Sequence, residues 1–298
     1  KKPELRKQNR INSIYSSLAI EKNPLSRKQV EDIIDGKIVM GKQKDIQEVK
    51  NAYRAYEKMT SINPYSVEEL KNTHEIMTFL IQEDNGKFRN HGEAVYNGDK
   101  MIFLAPPHNR VPELMDNLFE WMNESKKTVH PLILSSVFHY EFVFIHPFSD
   151  GNGRMARLWQ TAILSKWNVM FEYMPIENII KRHQQEYYKT INECDKIGNS
   201  TRFIEFMLKI IDETIEDLLK RSKNSENNET ESLNITEKEA LDYIYKNELV
   251  STKELAEYLG KADRTARRIV SVLLEKGLIT WQGRDKNDPN IRYRKMSN

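Results

Sequence analysis

Twelve residues, His146–Arg157 (HPFSDGNGRMAR), hold an imidazole, a carboxylate, an amide between two glycines and two guanidiniums. An apolar segment, PLILSSVFHYEFVFI, precedes them and another, LWQTAILSKW, follows. Both flanks have helix-like composition, so the polar stretch is a loop pinned between two buried helices. Gly151-Asn152-Gly153 admits positive φ, which turns successive N–H groups toward one point. The helix that starts near Gly153 adds unpaired N–H groups and the positive end of its dipole. Together these make an anion site, and phosphate is the commonest anion bound this way.

The remaining residues of the loop extend that reading. Arg154 and Arg157, three apart, share a helix face and can grip adjacent phosphates. With Met155 and Ala156 between them, the run Gly151–Arg157 is the candidate nucleotide cradle. Asp150, at its mouth, is placed to hold Mg²⁺ against the phosphates. His146, with an ordinary pKa of about 6.5, can take a proton from an attacking hydroxyl. Phe148 is read as an apolar peg that fixes the loop to the core. A Gly-rich helix entry with a solvated basic face is the bland alternative. The His, Asp and second Arg in register weigh against it.

The stretch resembles the signature of the Fic family, HPFx[D/E]GN[G/K]RxxR, without a departure, and the resemblance extends from Ser13 to Leu219. It implies an all-α Fic fold with a small β-hairpin flap. It also implies a nucleotidyltransferase that moves AMP from ATP, with Mg²⁺, to a hydroxyl side chain of a target protein, self-modification included. Gly153 stands where phosphotransferring relatives carry Lys, which favours AMP as the transferred group.

Ahead of the core, a helix is expected near Arg10 to Glu21, with Ser17 and Glu21 four apart on one face. By resemblance, Ser17–Glu21 matches the first five positions of an inhibitory pattern, [S/T]xxxE[G/N], with Lys22 where Gly or Asn is usual. Glu21 then pairs with Arg157 and keeps the γ-phosphate off it. Ser66 is expected to cap a helix running to Ile81, with His74 as a packing or surface residue. From Lys87 to Pro107 the helical pattern breaks, and Asn97-Gly98 between EAVY and DKMIFLAPP signals a hairpin. Its place matches the Fic flap, where a target segment adds as an extra strand; Met101, Ile102 and Phe103 are its candidate contacts. His139 reads as a packing residue. One helix is expected over Asn178–Asn192, and by resemblance Tyr188 lines the adenosine end of the pocket. Asp195 stands where relatives often have Asn.

Residues 1–221 thus form the Fic domain and 222–232, SKNSENNETES, a linker without an apolar residue. Residues 233–298 resemble a winged helix-turn-helix domain of three helices and a two-stranded wing. Charge divides within it: residues 233–262 carry four Lys/Arg against six Asp/Glu, and 263–298 carry nine against four. Arg264, Arg267 and Arg268, on the would-be recognition helix, are candidate DNA contacts; protein docking is the alternative use of such a module.

Composition bounds the rest. Hydrophobic residues make 39% and charged residues 30%, with a net charge of +2, so any nucleic-acid signal is local. No run approaches a membrane span. A single cysteine, Cys194, fits a reducing cytoplasm. Two other functions stay open: removal of AMP from a modified protein, and a DNA-binding transcriptional regulator whose Fic domain senses nucleotide. A homodimer is also left open.

Overall fold

The computed structural model describes residues 3–97, 100–284, 288 and 291–296, with side chains at 4–94, 103–221, 232–284, 288 and 291–296. The chain divides into two compact units, Lys1–Ile215 and Glu216–Asn298.

The first unit holds helices α1 (Pro3–Ile20), α2 (Arg27–Ile34), α3 (Gln43–Lys58) and α4 (Val67–Met77), then strands β1 (Ala94–Asn97) and β2 (Lys100–Leu104). Helices α5 (Val111–Ser125), α6 (Pro131–Ile145), α7 (Asn152–Trp167), α8 (Ile176–Arg182), α9 (Gln184–Ile197) and the start of α10 (Thr201–Glu231) follow. The antiparallel pair α6 and α7 is the centre. Helix α6 is apolar nearly all round, which demands burial on every side, and Leu134, Phe138, Phe142 and Ile145 enter the core. Pro131 opens it at N1 and the His130 ring accepts from Leu132 N–H. Helix α7 is buried from Arg154 to Leu164, and its Trp159 indole donates to Pro64 O at 2.9 Å.

Helix α1 packs against α2, α3 and α8 and contributes Ile11, Ile14 and Leu18 to the main core. It starts seven residues earlier than expected and ends at Ile20, leaving Glu21 in the turn beyond it. Helix α4 stops at Met77 rather than Ile81, because the chain turns left-handed at Leu80 (φ 59°). The single helix expected over Asn178–Asn192 is two, α8 and α9, broken at His183. In the hairpin Asn97 pairs with Lys100, so the two-residue connection is 98–99, outside the described residues, and Asn97 belongs to the strand. A bulge sits between Val95 and Tyr96.

The second unit contains α11 (Ile235–Lys246), α12 (Thr252–Leu259), α13 (Asp263–Glu275) and an antiparallel pair, β3 (Ile279–Gln282) with β4 (Arg292–Lys295). Asn234 with Glu237 and Ser251 with Glu254 form capping boxes. Leu241, Ile244, Leu255, Ile269 and Leu273 form its core. Three helices and a wing match the sequence expectation. Helix α10 runs on through 222–231, the stretch read as a linker, and the two units divide inside it.

Since α1 is a core element, Ile14→Ala should cost about 2–5 kcal/mol, as buried Ile-to-Ala truncations do. Urea unfolding measures it, and a loss below about 1 kcal/mol would mean that α1 is only loosely docked.

Candidate active site

The site forms where α6 ends and α7 begins. His146 caps α6 in the left-handed region, at φ 51° and ψ 59°, a costly conformation for a residue with a Cβ. Its Nδ1 lies 3.3 Å from Val143 O, which assigns the ring proton to Nδ1 and leaves Nε2 as acceptor. Burial pushes the His146 pKa below its ordinary value. Gly151, at φ 84°, turns the chain into α7. Asn152 braces the turn: its side chain accepts from Phe148 N–H at 3.0 Å and donates to Phe148 O at 2.7 Å. Phe148 is fully buried and stacks on His74 with ring centroids 3.6 Å apart, as a peg should.

Two guanidiniums project from α7. Arg157 is buried; Nε donates to Ser17 Oγ and Nη2 to Ser17 O, both at 3.0 Å, and Nη2 also meets Glu21 Oε1 at 2.7 Å. The Arg157 side chain is 1% exposed and that of Glu21 36%. Burial opposes the charge of Arg157, and the Glu21 carboxylate outweighs it, raising its pKa. Glu21 also packs on Gly153, where an added Cβ would run into Oε1. A carboxylate from the front of the chain therefore occupies the helix start. Lys22, just beyond, has φ 67°, the conformation that Gly or Asn adopts at lower cost, and this accounts for their use at that position.

Arg154 is also buried. Nη2 donates to Asp150 Oδ1 at 3.1 Å and Nη1 lies 3.7 Å from Glu48, but among the described residues Nε and Nη1 have no hydrogen-bond partner. Asp150 accepts further from Gly151 N–H at 2.6 Å and Gln82 Nε2 at 3.2 Å. Burial would raise its pKa; Arg154 and these donors outweigh that and hold it below the usual carboxylate value. Met155 and Ala156 lie wholly in the core. Tyr188, exposed on α9, has its ring 5.2 Å from that of Tyr187, and partial burial, with the Glu21 charge, raises its phenol pKa. In the flap, Phe103 lies 5.7 Å from Phe144 of α6; the side chains of Met101 and Ile102 lie outside the described residues. In the second unit Arg264, Arg267 and Arg268 are all exposed on α13.

Several contributors carry no sequence signal. His74 is buried, donates from Nε2 to Asp150 O at 2.9 Å and accepts at Nδ1 from Gly86 N–H at 3.0 Å. Arg89 bonds the carbonyl of His146 at 2.7 Å. Asn23 donates to Glu48 Oε2 at 2.8 Å and to Asp45 O at 3.1 Å, fastening the turn after Glu21 to α3. His139 is a core residue as expected, bonded to Gln160 at 2.5 Å and Tyr187 at 2.9 Å.

The profile of the Fic/DOC family matches residues 64–164, and that of a winged helix-turn-helix DNA-binding domain matches 233–280. A solved Fic family protein from Desulfovibrio desulfuricans G20 shares 35% identity at a TM-score of 0.73, covering 100% of this chain and 89% of that one. The chain therefore belongs to the Fic family. Protein adenylyltransferase Fic of Culex quinquefasciatus is 29% identical over 216 residues, and protein adenylyltransferase fic-1 of Caenorhabditis elegans 26% over 227. The matches span 69% and 72% of this chain but only 41% and 42% of those relatives. Among the described residues no helix is long and apolar enough to cross a membrane.

Burial drives the pKa of His74 down to about 4 and that of His139 to about 3. Both rings resist protonation when folded, so below about pH 6.5 the unfolded chain binds more protons. Their contribution is full above that pH and is lost toward pH 4, His74 alone accounting for roughly 3 kcal/mol. The urea midpoint should fall between pH 7 and 4.5, and His74→Gln should flatten that fall; a pH-independent midpoint would refute the assignment.

Proposed function

We propose that the protein is an adenylyltransferase that moves AMP from ATP to a hydroxyl side chain of a target protein and is held back by Glu21. The observation that carries this reading is the buried Arg154 beside a helix N-terminus, whose Nε and Nη1 make no hydrogen bond among the described residues, Nη1 only facing Glu48 at 3.7 Å. Such donors call for an acceptor-rich anion. A triphosphate supplies one, and the Glu21 carboxylate on Arg157 stands in for its outermost phosphate.

Asp150 fits a magnesium site: its carboxylate is ionised and partly exposed, and Mg²⁺ binds by one or two carboxylates plus substrate phosphates. Among the described residues no three-ligand cluster offers another place. When bound, the ion supplies charge neutralisation at the phosphates. His146 Nε2 takes the proton of the target hydroxyl, whose oxygen attacks the α-phosphorus. The bond to the bridging oxygen breaks and pyrophosphate leaves. The Asn152 and Gly153 N–H groups and Arg154 stabilise the developing charge. Tyr188 borders the nucleoside. The target segment lies along the flap as an added strand, held by main-chain bonds. Glu21 denies Arg157 to the γ-phosphate, and Ser17 holds the guanidinium in place for either anion.

Glu21→Gly should raise incorporation of label from α-labelled ATP into protein, self-modification included. The same change should lower stability by about 1–3 kcal/mol, because a buried charge loses its partner, and saturating Mg-ATP should restore part of that. His146→Ala on that background should lose roughly 10²–10⁴-fold. Equal labelling by parent and Glu21→Gly, or label only from γ-labelled ATP, would refute the reading.

A second activity, DNA binding by the winged helix domain, is favoured by the three exposed arginines of α13 and the basic character of residues 263–298. In gel shifts with the full chain, replacing Arg264, Arg267 and Arg268 by Gln should weaken binding. The log–log salt slope should become shallower by about 1 for each of these arginines that meets a phosphate. An unchanged slope would leave the module to protein docking.

A further inference from the structure

Arg89 lies between α4 and the flap, and its side chain is buried. Burying a guanidinium requires acceptors for its donors. Among the described residues no carboxylate comes within salt-bridge distance, and main-chain carbonyls serve instead. Nε donates to His146 O and Nη1 to His91 O, each at 2.7 Å. Nη2 donates to Pro106 O at 2.6 Å, with a longer contact of 3.4 Å to Ile145 O. The Arg89 N–H donates to Pro147 O at 2.9 Å.

These carbonyls belong to two structures. His91 and Pro106 are the legs of the flap, which spans Ala94–Leu104 and is closed at its base by Ala105 N–H to Glu93 O at 3.0 Å. Ile145, His146 and Pro147 form the turn that carries the imidazole, with His146 left-handed at φ 51°. One planar, five-donor group fastens both legs of the hairpin to that turn. A lysine presents its donors from a single nitrogen and cannot span the same carbonyls.

We propose that Arg89 is a positioning residue that sets the spacing between the flap edge, where the target strand docks, and His146, so that a docked hydroxyl arrives within reach of Nε2. This rests on the adenylyl-transfer reading of the site. The nucleotide cradle lies on α7 and shares none of the four carbonyls. Arg89 therefore governs the transfer step and leaves ATP binding alone. A displacement of about 1 Å at the reacting atoms is enough to cost roughly 10²-fold.

The test uses Arg89→Lys and Arg89→Gln on the Glu21→Gly background, with transfer followed from α-labelled ATP and nucleotide affinity by calorimetry. Transfer by the Glu21→Gly parent is the control on the activity itself: its absence would refute the adenylyl-transfer reading and, with it, this role for Arg89. With an active parent, kcat should fall roughly 10–100-fold in both variants, while Kd and KM for ATP stay within about twofold. An unchanged kcat, or a loss carried wholly by ATP affinity, overturns the proposal. Should either variant lose its cooperative unfolding transition, hydrogen exchange in the unmutated chain decides. The amides of Arg89 and Ala105, bonded to the catalytic turn and the flap base, should then open at one common rate. A flap amide opening many-fold faster than Arg89 overturns it.

Discussion

A guanidinium taken out of water needs acceptors for its donors at all times, and Arg157 is such a group, with a carboxylate among its acceptors. Losing one partner of a buried pair is far costlier than exchanging it, because the stranded charge keeps its desolvation cost. Ser17 supplies two neutral acceptors from α1 and fixes the guanidinium plane, and the anion is the third partner. Glu21 fills that place from within the chain. A phosphate filling it from outside leaves the two Ser17 bonds intact. On the proposed reading the site has two arrangements that differ mainly in which anion sits on Nη2, with bound nucleotide and Glu21 competing for one position.

The geometry of α1 limits how that competition is resolved. Ile11, Ile14 and Leu18 lie in the main core, so removing the helix would expose a large apolar face. Asn23 is tied to Glu48 and Asp45. Glu21 stands between these two anchors, with a partly exposed side chain and a left-handed residue after it. Glu48 also faces Arg154 Nη1 at 3.7 Å, so the tie on the turn after Glu21 and the guanidinium of Arg154 share one carboxylate.

The sequence disclosed what depends on side-chain type at fixed spacing. His146, Asp150, Asn152, Arg154 and Arg157 could be assigned as a unit because a turn entering a helix places them together whatever the rest of the fold does. Glu21, 136 residues before Arg157, was legible only through the resemblance, since composition makes it an exposed glutamate on a surface helix. His74, expected as a packing or surface residue, is buried as a packing residue, but its partners, and Arg89 altogether, were not legible. Their partners are carbonyls and N–H groups of the main chain, which every residue carries, so no pairing of residue types marks them. Element ends slipped for a related reason: the left-handed turn at Leu80 and the break at His183 occur at residues without Gly or Pro. The linker reading of 222–232 followed composition, yet Ser, Asn and Glu continue α10 there.

His74 and His139 lie buried around the central pair of helices and His146 is half-buried at its turn, and their environments set His146, the proposed proton carrier, apart from the other two. Both ring nitrogens of His74 are used, one donating to Asp150 O and one accepting from Gly86, so protonation would set an N–H against an N–H. His139 is likewise held at both nitrogens, by Gln160 and Tyr187. Each is a fixed neutral strut, and burial alone would keep it so. His146 differs in having, among the described residues, only Nδ1 engaged, by a long bond to Val143 O, with the fixed partner on its main-chain carbonyl rather than its ring. Its left-handed backbone ends α6 one residue before Pro147 and carries the ring beyond the last helical turn. The chain thus meets strain at the half-buried imidazole whose second nitrogen has no hydrogen-bond partner among the described residues, and secures that strain through Arg89 and the Asn152 brace, whose side chains bond main-chain groups.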